Sequence, residues 1–217
     1  MKKNVSTPKS LIYLITEGQA TTENFAKKKR EILKLVEIAL ASKISFIQIR
    51  EKQLPARLVF ELAAEAAKLA RRSNTKILVN DRADIALAAR ADGVHLTSAS
   101  LSAQIIRRNF PPRFIIGVSV HSTRDAKRAA LQGADFVTFS PIFPTPAKEK
   151  YGAPQGLKKL REVCERLKPF PVVGLGGIDE NNYKSVLESG ASGFASIRFL
   201  NNAENLRKLA AELIVEK

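Results

Sequence analysis

The chain of 217 residues carries 36 lysines and arginines against 21 aspartates and glutamates, a formal net charge of +15. Its length suits one domain with a large buried core, and a hydrophobic content of 45% excludes a mainly disordered chain. With one cysteine and no long apolar run, the sequence excludes an internal disulfide, a multi-cysteine zinc site and a transmembrane helix, so we expect a cytoplasmic protein.

The predicted elements follow a basic segment, residues 1–10, which lacks an apolar signal-peptide core and is expected to be a flexible tail. Short runs rich in Ile, Val and Phe, typical of buried parallel strands, then alternate with longer stretches. In these stretches apolar residues recur three and four positions apart, which is typical of amphipathic helices. The predicted strands are Leu11–Ile15, Ile44–Ile49, Lys76–Val79, Gly93–Leu96, Phe114–Val118, Phe136–Phe139, Pro171–Leu175 and Gly193–Ile197. The predicted helices are Ile32–Leu40, the stripe from Leu58 to Leu69 after Pro55, Asp84–Ala89, Ala103–Arg108, Thr123–Leu131, Leu157–Leu167, Asn181–Glu188 and a last helix after Asn202.

Eight consecutive strand–helix units predict a closed parallel (β/α)8 TIM barrel. Because periodicity does not reveal closure, an open doubly wound sheet is the alternative. No linker or shift in composition divides residues 11–217, so we interpret them as a single domain.

Functional side chains of such a barrel lie where strands end and the next loops begin. After strand 2, Gln48, Arg50 and Lys52 alternate toward one side, and two cations with an amide suit a pyrophosphate or phosphate ester. A solvated charged loop would give the same pattern. After strand 3, Asp81 is suited either to hold Mg²⁺ together with substrate phosphates or to cap the next helix.

The loops after strands 6 to 8 offer further candidates. Gly176 and Gly177 precede a helix after strand 7, where backbone N–H groups can approach an anion, although a plain turn is the alternative. Loops after strands 7 and 8 are the usual phosphate site of this architecture. The proline-rich loop 140–156 fits a lid, with Lys148 as its candidate cation.

The two histidines are expected to differ in role. His95 lies inside strand 4, where we expect a hydrogen-bonded structural side chain. His121 follows strand 5 at the barrel mouth and is the better candidate for proton transfer. Cys164 has no histidine nearby in the sequence and is expected to be inert.

With these residues in place, the chain resembles the thiamine-phosphate synthase/TenI family, whose fold is the barrel already predicted. The resemblance runs from Leu11 to about Leu200 and depends on short motifs in a specific order. These are Tyr13-Leu14-Ile15-Thr16, Ile47-Gln48-Ile49-Arg50-Glu51-Lys52, Val79-Asn80-Asp81-Arg82, Ala91-Asp92-Gly93-Val94-His95-Leu96, Gly117-Val118-Ser119, Pro141-Ile142-Phe143-Pro144-Thr145 and Gly176-Gly177-Ile178.

The resemblance implies an enzyme of thiamine biosynthesis that joins hydroxymethylpyrimidine pyrophosphate to thiazole phosphate and releases pyrophosphate. It implies Arg50, Lys148 and His121 as catalytic residues and Asp81 as a Mg²⁺ ligand. The substrate-binding residues that it implies are Gln48, Lys52, Asn80, Ser119, Thr145, Gly177, Ser196 and Ile197.

Three departures from the family pattern leave alternatives open. Synthases usually follow the strand-4 histidine and leucine with Gly-Gln-Glu-Asp, whose Asp is a second Mg²⁺ ligand, but this chain has Thr97-Ser98-Ala99-Ser100. Losing one carboxylate should weaken Mg²⁺ binding. Ala147 also replaces the usual Thr before Lys148, and Arg198 replaces a Ser after strand 8.

Ser100 and His121 also resemble the TenI branch, whose thiazole tautomerases need no metal. The resemblance therefore favours a synthase, with a tautomerase or a non-catalytic barrel for phosphorylated ligands as alternatives. The excess positive charge permits nucleic acid as a partner, but basic residues spread over helices and 6% aromatic residues argue against it. The family includes oligomers, so a homo-oligomer is left open.

Overall fold

The computed structural model describes residues 10–145 and 153–215, where eight parallel strands alternate with eight helices. The strands are β1 (Leu11–Ile15), β2 (Phe46–Ile49), β3 (Lys76–Asn80), β4 (Gly93–Leu96), β5 (Ile115–Val120), β6 (Phe136–Phe139), β7 (Val172–Leu175) and β8 (Gly193–Ser196). The helices are α1 (Phe25–Ala41), α2 (Ala56–Ala70), α3 (Ala83–Ala88), α4 (Ala103–Asn109), α5 (Thr123–Leu131), α6 (Gly156–Leu167), α7 (Tyr183–Glu188) and α8 (Ala203–Val215).

Each strand pairs in parallel with the next, and β8 returns to pair with β1 through Leu11 opposite Gly193 and Tyr13 opposite Ala195. This last pairing closes the sheet. The predicted single-domain (β/α)8 barrel is therefore confirmed, and the open sheet is excluded.

Strand alternation divides the buried side chains into two cores. Tyr13, Leu78, Phe136, Val173 and Ala195 point into the barrel and form the inner cluster. Their neighbours along the strands point outward and pack against the helices in a larger outer core. A side chain two residues beyond an inner-cluster residue therefore faces the barrel interior, one layer nearer the mouth.

Helix α1 begins at Phe25, earlier than the predicted Ile32, and so includes the basic run 27–30. The run carries no apolar stripe, which is why periodicity did not reveal it as helix. Tertiary contacts hold part of it: Lys29 Nζ lies 2.7 Å from a Glu61 carboxylate oxygen and 2.5 Å from one of Glu65, both on α2. Lys29 is thus an inter-helix ion-pair residue and not only a solvated charge.

Two strand boundaries differ from the prediction by two residues, and the others by at most one. Strand β2 begins at Phe46, since Ile44 is buried at the end of the α1–β2 turn with its N–H on the Ala39 carbonyl. Strand β5 extends to Val120, which brings Ser119 into the sheet. No described helix combines the length and apolar composition that crossing a bilayer requires.

Candidate active site at the carboxyl ends of the strands

A layer of polar side chains lies above the aromatic part of the inner cluster. Gln48, Ser119 and Thr138 each stand two residues beyond an inward-facing residue of their strands. Gln48 is 1% exposed, and its amide nitrogen donates to the Tyr13 hydroxyl at 2.6 Å. Burial raises the pKa of Tyr13 beyond its usual range, so this phenol remains neutral. The sequence alone did not single out Tyr13, whose role depends on this cross-strand contact.

Arg50 directly follows β2 and is half-buried. Its backbone N–H donates to Thr16 Oγ1 at 2.8 Å, and burial lowers the pKa of its guanidinium, an effect that the charge of Glu51 partly offsets. The guanidinium forms no ion pair within the described part of the chain. A cation partly removed from water without a counter-ion favours binding of an anion.

The neighbouring carboxylate is engaged elsewhere. Glu51 is 4% exposed and accepts hydrogen bonds from the backbone N–H groups of Gly18 at 3.2 Å and Ala20 at 2.8 Å. These two hydrogen bonds fix the β1–α1 loop. The loop lies close beside Arg50, because a Cβ on Gly18 would be only 3.1 Å from Arg50 Nη1. Sequence reasoning passed over Glu51, because its buried partners are backbone atoms of another loop.

Of the two lysines predicted as site cations, Lys52 and Lys148, the structure describes only Lys52. Lys52 is exposed in the turn after β2, where strand alternation has ended, and it makes no hydrogen bond or ion pair with residues 10–145 or 153–215. Lys148 lies outside the described residues. Thr145 is half-buried and is the last described residue before that gap.

Asn80 ends strand β3 at the mouth, and Asp81 follows it. Asp81 has a positive φ of 65°, and the Arg82 N–H donates across it to the Asn80 carbonyl at 2.7 Å, a turn that is rare for a residue with a side chain. The Ser100 hydroxyl donates to Asp81 Oδ1 and itself accepts from the Thr97 N–H at 2.7 Å. Ser100 therefore occupies the side of Asp81 where the resemblance implies a second carboxylate.

The two histidines are held in different environments. His95 is 2% exposed, and its Nε2 lies 2.9 Å from Ser119 Oγ and 3.3 Å from Thr138 Oγ1, a buried hydrogen-bonded position of the kind expected. His121 is exposed just beyond β5, with Nδ1 2.8 Å from the Ser140 carbonyl oxygen. Because a carbonyl only accepts, Nδ1 of His121 carries the proton and Nε2 is left as the basic nitrogen.

The loops after β6 and β7 pack closely against each other. The N–H groups of Ile142 and Phe143 donate to the carbonyls of Leu175 at 3.0 Å and Gly176 at 2.9 Å. Gly177 has a φ of 68°, and a Cβ there would lie 2.7 Å from Phe143 Cβ. The glycine pair is therefore required by this packing, whether or not an anion binds there.

The end of β8 lies beside the loop after β7. Ser196 is buried with its hydroxyl turned outward, donating to the Ile178 carbonyl at 2.9 Å, so only its backbone is available to a ligand. Ile197 is half-buried, and Arg198 is exposed in the following turn. The carbonyl of Ile197 accepts from Asn201, which closes that turn at 3.0 Å.

The fold and the polar mouth define a (β/α)8 barrel with a cluster of polar and charged side chains at the carboxyl ends of its strands. The chain belongs to the family described as "Thiamine monophosphate synthase", whose model matches residues 12–200. This finding confirms the resemblance stated from the motifs. Members of this family act on a phosphorylated pyrimidine and a phosphorylated thiazole, and they use Mg²⁺.

Individual relatives agree with this assignment. A Geobacter sulfurreducens protein, itself only provisionally named a thiamine-phosphate synthase, is 43% identical over 94% of this chain and 92% of its own. The thiamine-phosphate synthase of Moorella thermoacetica is 40% identical over 85% of this chain and 87% of its own. The solved structure of thiamine phosphate pyrophosphorylase from Pyrococcus furiosus matches 95% of this chain and 98% of its own, with a TM-score of 0.77 and 32% identity.

The donor set at the mouth fits a Mg²⁺ ion only in part. No group of three His, Cys, Asp or Glu side chains converges within the described ranges, and Asp81 is the one carboxylate beside Ser100. Mg²⁺ commonly binds through one or two carboxylates and takes its other ligands from water and substrate phosphates. Asp81 therefore fits an ion that arrives with a pyrophosphate, and it would hold that ion less tightly than a carboxylate pair.

Proposed function

We propose that this protein is a thiamine-phosphate synthase, which joins hydroxymethylpyrimidine pyrophosphate to thiazole phosphate. The observation that carries the proposal is the Arg50 guanidinium, half-buried at the mouth and without an ion pair among the described residues. Such a cation favours an anionic ligand. Family membership supports a pyrophosphate as that anion.

In the proposed reaction, the bond between the pyrimidine methylene carbon and the pyrophosphate oxygen breaks, and pyrophosphate leaves with the bonding electrons. The thiazole nitrogen then forms the new carbon–nitrogen bond to that methylene. Arg50, with Lys52 and Lys148, binds the pyrophosphate and stabilises its developing charge. Asp81 would hold Mg²⁺, and the ion, when bound, neutralises further charge on the leaving group.

The remaining residues bind and orient the substrates in this proposal. Inward-facing side chains at the mouth position the pyrimidine ring, and close-packed backbone in the loops after β6, β7 and β8 accommodates the thiazole phosphate. The residues concerned are Gln48, Asn80 and Ser119 for the pyrimidine and Thr145, Gly177, Ser196 and Ile197 for the phosphate.

The direct test is to incubate the purified protein with both substrates and Mg²⁺ and to quantify thiamine phosphate and pyrophosphate. Arg50→Ala should lower kcat/KM about 10²- to 10³-fold, since it removes a charge-stabilising donor. Arg113→Ala is the matched control, because Arg113 is exposed before β5 at the opposite end of the barrel. Absence of product with the wild-type protein would overturn the proposal, and tight substrate binding without turnover would indicate a non-catalytic barrel.

A thiazole tautomerase is the second candidate, and the His121 geometry favours it. With Nδ1 donating to the Ser140 carbonyl, the exposed Nε2 is free to accept a substrate proton. This candidate predicts isomerisation of thiazole carboxylate phosphate in the presence of a chelator, lost in His121→Ala. Full isomerase activity in that variant would exclude His121 as the catalyst.

A further inference from the structure

His95 is a buried titratable side chain for which the proposed reaction has no role. Its ring lies between the aromatic rings of Tyr13 and Phe136, with centroid distances of 5.6 and 5.8 Å. Gly117 on β5 provides the space, since a Cβ there would lie 2.6 Å from His95 Nδ1. Nδ1 has no hydrogen-bond partner in the described structure, whereas Nε2 faces two hydroxyls.

This asymmetry selects one tautomer of the neutral ring. A proton on Nδ1 would leave a buried N–H without an acceptor, and among buried backbone groups such orphaned donors are rarer than under-satisfied acceptors. A proton on Nε2 is donated to Ser119 Oγ at 2.9 Å and leaves only a lone pair unmatched at Nδ1. Burial lowers the pKa of His95 to about 3, so the ring stays neutral near physiological pH.

We propose that His95 is a positioning residue, which as the Nε2–H tautomer directs the hydroxyl proton of Ser119 toward a substrate at the barrel mouth. Ser119 Oγ accepts from His95 Nε2 and, at 3.4 Å, from Thr138 Oγ1. Both acceptor sites of the hydroxyl are then engaged, and its own proton is free to be donated to an acceptor atom of the ligand. Ser119 is half-buried on the inward face of β5, so its hydroxyl can reach the mouth.

The identity of the ligand in this inference depends on the proposed function, but the tautomer does not. Nitrogen-15 NMR of the imidazole rings measures the tautomer directly, because an unprotonated ring nitrogen resonates far downfield of a protonated one. The chain has two histidines, so the His121→Ala variant assigns the remaining signals to His95. Near neutral pH we expect a protonated Nε2 and a bare Nδ1. A protonated Nδ1 with a bare Nε2 would overturn the inference whatever reaction the protein catalyses.

A double-mutant cycle tests the positioning role. Ser119→Ala and His95→Phe should each lower kcat/KM of the synthase reaction, the latter roughly 10-fold, as expected for loss of one orienting hydrogen bond. His95→Phe combined with Ser119→Ala should be no slower than Ser119→Ala alone, because His95 acts through that hydroxyl.

His95→Gln is the control that keeps a donor at nearly the same reach, and its kcat/KM should stay within a few-fold of the wild-type value. Independent, multiplicative losses in the double variant would show that His95 only supports the barrel core, and would overturn the positioning role. If the wild-type protein makes no thiamine phosphate, the proposed function fails. The same four variants are then compared by their Kd for hydroxymethylpyrimidine pyrophosphate instead of by kcat/KM.

Discussion

Replacing Gly177 by alanine tests whether close packing of the loops after β6 and β7 builds the site. The new Cβ would meet Phe143 Cβ at 2.7 Å and the Pro144 carbonyl oxygen at 2.8 Å, on a backbone with a φ of 68°. The left-handed backbone costs roughly 1–2 kcal/mol for a residue with a side chain, and overpacking adds roughly 1–3 kcal/mol. We therefore expect a loss of about 2–5 kcal/mol in the free energy of unfolding.

Gly190→Ala separates the two contributions. Gly190 follows α7 at the opposite end of the barrel with a φ of 84°, and the nearest atom to its Cβ, Cys164 Cβ, is 3.7 Å away. This variant has the backbone cost without the crowding and should lose about 1–2 kcal/mol. For a domain of this size, each 1 kcal/mol corresponds to a change of about 2–4 °C in Tm.

Thermal unfolding and steady-state kinetics together measure the outcome. Gly177→Ala should unfold at a lower temperature than Gly190→Ala. If the proposed function holds, its kcat/KM for thiazole phosphate should fall about 10²-fold, as expected for a misplacement near 1 Å in the loop proposed to bind the phosphate, whereas Gly190→Ala should retain the wild-type value. Equal Tm and equal kcat/KM for the two variants would refute the argument that loop packing requires Gly177.

Three further predictions concern buried or paired groups. Glu51→Gln should cost about 1.5–3 kcal/mol, because the two loop N–H groups bond to different carboxylate oxygens and an amide replaces one of these acceptors with an NH2 donor; an unchanged Tm would contradict this. The unfolded chain protonates His95 below about pH 6.5, whereas the folded chain protonates it only near pH 3. The free energy of unfolding therefore has its full His95 contribution above pH 6.5 and loses about 1.4 kcal/mol per pH unit below that value. Urea unfolding at several pH values should show this extra slope in the wild-type protein and not in His95→Gln, and parallel curves would refute it. Ser100→Asp should bind Mg²⁺ at least roughly 10-fold more tightly by calorimetry, since a second carboxylate then stands beside Asp81; an equal affinity would contradict that geometry.

The architecture could be predicted from the sequence because it depends on local patterns. Short β-branched runs such as Lys76–Val79 alternate with amphipathic stretches such as Thr123–Leu131, and both lie within one residue of the observed elements. Prediction failed where packing overrides local pattern. The run 27–30 of α1 has no apolar residue, and packing of Phe25 against the outer core together with ion pairs between Lys29 and α2 supports this part of the helix.

For the candidate site, the sequence determined which residue types follow each strand, and the family motifs predicted roles for Arg50, Asp81 and Ser119. Alternation beyond a strand end was less informative, since Lys52 lies in a turn after β2. The partners of these residues were not predictable, because they come from other strands and loops. Glu51 is buried against the β1–α1 loop, an arrangement that no local spacing encodes.

The sequence by itself determined a basic chain of eight strand–helix units with a recognisable family pattern, because hydrophobic periodicity and motif order are local properties of the chain, whereas closure of the barrel depends on the pairing of β8 with β1. Only the tertiary structure decided that Arg50 is half-buried and forms no ion pair with residues 10–145 or 153–215, that Ser100 donates to Asp81, and that His95 faces Ser119 and Thr138. These properties arise when barrel closure brings distant strand ends together and removes their side chains from water. Burial and cross-strand pairing then set the charge and proton positions of the site.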